Sequence, residues 1–416
     1  MTDRIVATYD IETPLPVAEA AAMLAGEQSS GTFVAIPGET QELRERASAR
    51  VEEIVEGESV AEPSLPGARS AERYQRARIV VSWPQENVGT NLPVLVSTVQ
   101  GNLYELTQFS GLKLVDLSLP EPFCQAFQGP RFGIAGTREV SGVSSGPLIG
   151  TIIKPSVGLT PSQTADLVKR LCEAGIDFIK DDELMGNSPH SPFDERAEAV
   201  MRVINEHTQK TGKRVLFAFN LTDDDNNMQR HYDKVIALGG AAAMISVNTV
   251  GLPAAMKVCG RGELVIHGHR NGWGQLNRHE WLGVGFGAYG KLWRLAGVDQ
   301  MHVNGIENKF WEADDNVVAS MKTCQEPLHD IRPIMPVLSS GQWGGQAFET
   351  WRRTQTTDVL YLAGGGIVAH PDGIAGGVAA IRQAWACAEE GLTLEAAAER
   401  HEELRHAVEK FGRKTV

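Results

Sequence analysis

From Gly146 onward short apolar runs recur, each ending in polar, charged or glycine residues, with helical stretches between most of them. They are Leu148–Lys154, Ile176–Lys180, Val215–Asn220, Ala243–Asn248, Leu264–His267, Gln300–Asn304, Ile334–Ser339 and Val359–Gly364. Segments such as Gln163–Ala174 and Ala197–Lys210 carry helical spacing between them. Buried parallel strands read this way, apolar almost throughout and joined by helical crossovers. Eight such units predict a closed (β/α)8 barrel, whose reactive groups gather at the C-terminal ends of the strands.

A barrel takes ~250 residues, and the chain has 416. Residues 1–130 are therefore expected as a smaller α+β, ferredoxin-like domain, and residues 131–416 as the barrel with a C-terminal helical tail. Within the first part, Ile5–Tyr9, Gly31–Ala35 and Arg78–Trp83 read as strands. Pro16–Gly26 reads as a helix, Asn91–Gly101 as a helix or packed loop, and the charged stretch 40–62 as a solvated surface. The 39 Lys and Arg against 52 Asp and Glu give a net charge of −13, which disfavours sequence-independent nucleic-acid binding. No apolar run approaches the ~18 residues of a membrane span, and the N-terminus lacks the pattern of a secretory signal. Five widely spaced cysteines without a Cys-x-x-Cys argue against a disulfide framework or a cysteine zinc site. Buried thiols and a cytoplasmic location are expected.

The strand ends carry the chemistry. Lys154-Pro155 closes the first run, Lys180-Asp181-Asp182-Glu183 the second and His267-Gly268-His269-Arg270 the fifth. His302 lies in the sixth run, followed by Lys309; Ser339-Ser340-Gly341 and Gly364-Gly365-Gly366 close the last two. Side chains alternate along a strand, so Lys180 and Asp182 share a face, which Glu183 joins if the chain turns. Two carboxylates beside an amine suit a hard divalent cation, Mg²⁺ above all, provided the amine loses its proton or becomes a carbamate. In isolation the same four residues read equally as a surface ion-pair cluster; directly after a buried strand they read as a site. Gly341 and Gly364–Gly366 stand where barrels often bind phosphate. Arg270, His302 and Lys309 could supply positive charge at a second anionic group. His267 reads more readily as a core histidine, and His279 and His370 as structural.

Together these strand ends resemble the large subunit of ribulose bisphosphate carboxylase (RuBisCO), over nearly the whole chain. Gly150–Pro155 is similar to the family's first catalytic-lysine motif, and Gly175–Glu183 to its metal motif. The resemblance implies that Lys180, carbamylated by CO₂, binds Mg²⁺ with Asp182 and Glu183. It implies catalytic roles for Lys154, His269 and Lys309, and substrate or phosphate contacts from Arg270, His302, Ser339, Gly341, Gly364 and Gly365. Glu27–Thr32 and Asn102 resemble the segment that reaches a partner subunit's site, which implies a homodimer or higher homo-oligomer with shared active sites.

The departures point to another reaction. Ser156 stands where the carboxylase has a second lysine, and Phe33 where it has tryptophan. The segment Val303–Phe310 keeps a lysine but not the carboxylase's lid sequence, and Ser340–Gly345 differs as well. The tail is also short for a carboxylase. The chain is thus similar to the RuBisCO-like proteins, whose known activities share a metal-stabilised enediolate. One branch acts on 3-oxo-isoapionate 4-phosphate, a branched β-keto acid, by decarboxylation or by transcarboxylation and hydrolysis. Another enolises or isomerises methylthio-pentulose phosphates in methionine salvage, and it lacks a lysine at the position of Lys154. The expected protein is an enzyme of the first branch, a carbon–carbon lyase or a related enolising enzyme. The second branch is the alternative, and a non-catalytic phosphosugar-binding protein a remote one.

Overall fold

The computed structural model describes residues 3–30 and 37–412. In chain order the strands are β1 (Arg4–Thr13), β2 (Arg50–Val60), β3 (Tyr74–Pro84), β4 (Gly111–Ser118), β5 (Leu148–Ile152), β6 (Phe178–Lys180), β7 (Leu216–Asn220), β8 (Ala242–Ser246), β9 (Val265–His269), β10 (Leu282–Val284), β11 (Gln300–His302), β12 (Met335–Leu338) and β13 (Leu360–Leu362). They form a five-stranded sheet, in the order β10-β4-β1-β3-β2, and a closed barrel, in the order β11-β12-β13-β5-β6-β7-β8-β9. All the barrel pairings are parallel, and all eight runs read from the sequence supply its strands.

The first compact unit contains the chain up to Gln128 together with Gly272–Ala296 and Leu328–Ile331. Its sheet buries Ile5, Ala7, Tyr9 and Ile11 at every second position of β1, the period of a strand with one covered face. The helix Val17–Glu27 buries Val17, Ala20, Ala21, Leu24 and Ala25. Two strands had no clear apolar signal. β2 is an edge strand with most of its residues exposed, so its charged sequence reads as surface. β10 has three residues and pairs in parallel with β4, a contact across 170 positions of chain that no local pattern announces. Gly31–Ala35, expected as a strand, lies outside the described residues.

The barrel unit packs Leu148, Phe178, Leu216, Ala218, Ala242, Met244, Val265, Met335, Val337, Leu360 and Leu362 into one apolar cluster. Inside, β5 approaches its neighbours so closely that a Cβ on Gly150 would stand 2.5 Å from Leu362 Cδ2 and 3.0 Å from the Phe178 carbonyl oxygen. The helix Gly133–Ser141 lies across the N-terminal ends of the strands. Asp299, just before β11, accepts the Phe132 and Gly133 N–H groups at 2.6 and 2.9 Å. Arg138 reaches the Thr357 carbonyl and the Asp358 carboxylate just before β13. One mouth is thereby filled with packing residues, and the other is left to the loops that follow the strands. The five cysteines are buried free thiols; burial pushes Cys124 up to about 11 and Cys172 up to about 12. No helix among the described residues is long and apolar enough to cross a membrane.

Candidate active site

At the end of β6 three consecutive side chains meet three different environments. Lys180 is buried at 1% exposure; its Nζ donates to the Asp181 carbonyl at 2.9 Å and to Glu183 Oε2 at 3.5 Å. Burial lowers the proton affinity of this amine, against the pull of Glu183 and Asp182. Asp181 takes the opposite face, as strand alternation requires. There it accepts the Asn220 N–H at 3.0 Å and Arg196 Nη2 at 3.4 Å, while burial pushes its carboxyl up. Arg196 also donates to the carbonyls of Ser191 and Gly186, so one buried guanidinium fixes the chain on both sides of the Asp182–Glu183 turn. Asp182 accepts Lys154 Nζ at 2.6 Å and the Leu184 N–H at 3.1 Å. Lys154 gives a second hydrogen bond to Ser156 Oγ at 2.8 Å. Two amines and two carboxylates from the ends of β5 and β6 thus form one alternating charge cluster.

Beside it stand three histidines from β9 and β11. The rings of His269 and His302 are 4.6 Å apart, and those of His267 and His302 6.2 Å. Burial drives all three below the usual range, His269 to about 3 and the other two well down. Lys180 adds to the effect on His269 and His267. Burial therefore disfavours the charged form of each ring, that of His302 included. His302 shares a hydrogen bond with Ser339 Oγ, at 2.7 Å from Nε2. His269 accepts the Asn271 N–H on Nδ1 at 3.2 Å. That places the proton of the neutral ring on Nε2, 3.5 Å from Glu183 Oε2. His267 bonds Gln300 Oε1 at 3.0 Å within the barrel interior, as a core histidine would.

The chain after β11 closes on itself. Asn304 Nδ2 donates to Glu312 Oε2 at 2.6 Å, and Asn308 Nδ2 donates to the carbonyls of Gly305 and Glu312, each at 3.0 Å. The exposed Lys309 ammonium stands over the Phe310 ring, 5.3 Å from its centre, while its N–H donates to the Ser340 carbonyl at 3.0 Å. Arg270 pairs with Glu312, with Nη2 2.6 Å from Oε2. Gly341 adopts a φ of +92°, which favours glycine, beside the Lys309 side chain. A Cβ on Gly364 would lie 4.0 Å from Lys154 Cε, and one on Gly365 would meet nothing within 4 Å. The β13 end therefore borders the lysine and leaves open space.

Lys154, Lys180, Asp182, Glu183, His269, His302 and Ser339 are linked by these contacts; Arg270, Gly341, Gly364 and Gly365 line the same strand ends. Glu27 and Asn102 belong to the other unit and share a corner there: Gln28 Nε2, one residue after Glu27, donates to the Gln100 carbonyl at 3.5 Å. Thr32 and Phe33 lie outside the described residues. Arg196, Asn304 and Glu312 were not singled out in the sequence. Arg196 had a signal, as a charge on the apolar stripe Phe193, Ala197, Val200, Met201 and Ile204 of its helix. Glu312 had none, because its importance comes from a partner 42 positions away.

The donor set fits a divalent cation on one condition. Among the described residues no three His, Cys, Asp or Glu side chains are grouped to hold a metal, and Asp182 with Glu183 supply two carboxylates. A carbamate on Lys180 would provide the third, and burial favours the unprotonated amine that such a reaction needs.

Comparison with known proteins gives a consistent picture. Residues 133–411 match the family model described as "Ribulose bisphosphate carboxylase large chain, catalytic domain", and residues 1–123 match that of its N-terminal domain. A "3-oxo-isoapionate-4-phosphate transcarboxylase/hydrolase" of Xanthobacter autotrophicus is 50% identical, over 98% of this chain and 99% of its own. A "3-oxo-isoapionate-4-phosphate decarboxylase" of Rhizobium etli is 45% identical, over 98% and 99%. The crystal structure of a rubisco-like protein from Burkholderia fungorum is similar with a TM-score of 0.93 at 44% identity, covering 98% of this chain and all of that one.

Proposed function

From a chain that belongs to the ribulose bisphosphate carboxylase large-chain family, we propose an enzyme that cleaves the carboxyl group from 3-oxo-isoapionate 4-phosphate, as a decarboxylase or as a transcarboxylase/hydrolase. It is not a ribulose bisphosphate carboxylase. The observation that carries the reading is Lys154, held 2.6 Å from Asp182 beside the buried Lys180. Relatives named for this substrate are 45–50% identical over nearly the whole chain.

Lys180 as a carbamate, with Asp182 and Glu183, would hold Mg²⁺, which supplies positive charge where an enediolate develops. This chain's own groups do the rest. Arg196 and the Asn220 N–H fix Asp181 and so orient its neighbours Lys180 and Asp182. Lys154 moves the proton. In a β-keto acid the bond from Cα to the carboxyl carbon breaks, its electron pair passes toward the ketone oxygen, and Lys154 delivers a proton to the vacated carbon. His269, with its ring proton on Nε2, donates a hydrogen bond to a reacting oxygen, and His302 holds Ser339 Oγ beside it. Gly341, Gly364 and Gly365 receive the phosphate, where backbone is accessible beside the strand ends. Ser156 accepts from the Lys154 amine, so the position that brings a second cation in the carboxylase here orients the first one.

The chain acts as a cytoplasmic homodimer, or a higher homo-oligomer, in which Glu27, Thr32 and Asn102 complete the partner's site. Val157, Leu184, Phe310 and Trp311 are 50%, 67%, 54% and 37% exposed. All four lie on loops after β5, β6 and β11, where a second subunit would cover them.

The test uses substrate labelled with ¹³C in its carboxyl group, with Mg²⁺ and bicarbonate in D₂O, followed by NMR. A decarboxylase releases the label as CO₂ and places deuterium on the former carboxyl-bearing carbon; Lys154→Met slows that step. A transcarboxylase/hydrolase keeps the label in an acid product. Turnover of a methylthio-pentulose phosphate alone would favour the methionine-salvage reading, and efficient ribulose bisphosphate carboxylation would refute both.

A further inference from the structure

We propose that Glu312 determines how many phosphate groups the active site accepts. By pairing with the Arg270 guanidinium it neutralises the charge at the end of β9, so that the site takes a single-phosphate substrate and discriminates against a sugar bisphosphate. The inference deepens the proposed reading and rests on it only for the identity of the natural substrate.

Arg270 follows β9 directly and is 3% exposed, and Glu312 is 5% exposed. The guanidinium meets Glu312 through Nη2 at 2.6 Å and Nη1 at 3.5 Å. The same carboxylate oxygen accepts Asn304 Nδ2 at 2.6 Å, and Asn304 Oδ1 in turn accepts Ser340 Oγ at 2.7 Å. Arg270 after β9 and Asn304 after β11 therefore converge on one carboxylate, and Ser340 after β12 braces Asn304. Both ions of the pair are satisfied by protein before any ligand arrives. A phosphate dianion seeking Arg270 would have to displace Glu312 and then stand beside it, since Asn304 and the main-chain tie from Asn308 to Glu312 hold that residue in place. Buried pairs of this kind are costly to break from one side. The other end of the site is unlike this one: Gly341 is left-handed and Gly365 faces open space, so one phosphate has a place and a second does not.

Calorimetric binding to the full-length protein in Mg²⁺ and bicarbonate tests this, with ribulose 1,5-bisphosphate and ribulose 5-phosphate as probes. Binding rather than turnover is read, so the outcome stands even if 3-oxo-isoapionate 4-phosphate is not the substrate. Glu312→Gln keeps an acceptor for Asn304 but removes the charge. It should tighten the bisphosphate roughly tenfold or more, the worth of a charge-assisted bond to phosphate, and shift the monophosphate by less than about twofold. Adding Arg270→Met should abolish the gain. No tightening, or equal tightening of both probes, overturns the proposal. The double variant Arg270→Met/Glu312→Leu removes both charges together and provides a second arm should the single variant misfold. It should bind the bisphosphate as the unaltered protein does; a tenfold loss would mean that Arg270 already holds phosphate.

Discussion

Three buried neutral histidines make the barrel sensitive to mild acid, and one substitution isolates the effect. An unfolded histidine titrates near ~6.5, whereas in the fold His269 is driven to about 3 and His267 and His302 lie well below the usual range. A group whose folded pKa is depressed gives stability that is complete above the unfolded pKa and is lost as pH falls toward the folded one. The window therefore opens near pH ~6.5 and extends down toward about 3 for His269. Between pH 7 and 5.5 an unfolded histidine gains about 1 kcal/mol from proton uptake that a folded ring driven to about 3 does not share, so His269 contributes about 1 kcal/mol of destabilisation, and His267 and His302 act in the same direction. His267→Gln removes one titrating ring, so over the same interval the variant should lose less stability than the unaltered protein, by up to about 1 kcal/mol, the proton uptake of one unfolded histidine. Groups away from the cluster cancel in the difference, while His302 loses one of the neighbours that hold it down. The assay is urea unfolding at fixed protein concentration in EDTA without bicarbonate, followed by tryptophan fluorescence and far-ultraviolet circular dichroism. If the variant loses as much stability as the unaltered protein, His267 takes up its proton in the folded state and the account of a neutral core histidine is wrong.

The Lys180 carbamate predicts that preincubation with CO₂ and Mg²⁺ raises activity and that Lys180→Ala abolishes it; full activity in EDTA would exclude the metal role. Shared sites predict that mixing inactive Glu27→Ala and Lys180→Ala subunits restores part of the activity, because one site of the heterodimer is intact. Native mass spectrometry would show whether the heterodimer forms, and heterodimers without activity would rule the arrangement out.

The barrel was legible because each strand is buried on both faces, so its apolar run stands out against amphipathic crossovers. The helix Pro161–Glu173, with a capping box from Thr160 and Gln163, begins within two residues of its expected start. The edge strand β2 was not legible, since exposure on most of its length leaves charge rather than alternation. At the site, the Lys180–Glu183 cluster was visible because charge immediately after a buried strand is unusual. Its electrostatics were not. His302 reads in the sequence as a source of positive charge, whereas burial disfavours its charged form. Arg270 reads as a phosphate contact, and in the fold its guanidinium already meets Glu312, at the end of the loop after β11. Both points concern which partner a charged group finds, a property of three-dimensional proximity that local pattern does not encode.

The charge balance connects the site to its substrate. On the proposed loading, the carbamate, Asp182 and Glu183 carry −3, and Lys154 and Mg²⁺ carry +3, which sums to zero. The Arg270–Glu312 pair also sums to zero, and the neutral histidines add nothing. A β-keto acid phosphate brings one carboxylate and one phosphate. When the carboxylate leaves as CO₂, its negative charge passes to the enediolate, which Lys154 then discharges by protonating the carbon. A bisphosphate would bring a second dianion that is never discharged, into a site where Glu312 has already claimed the arginine. Low-dielectric surroundings make such an unpaired charge costly. The same fold that serves carboxylation can therefore exclude a bisphosphate by a change at the end of one loop, with its metal ligands left in place.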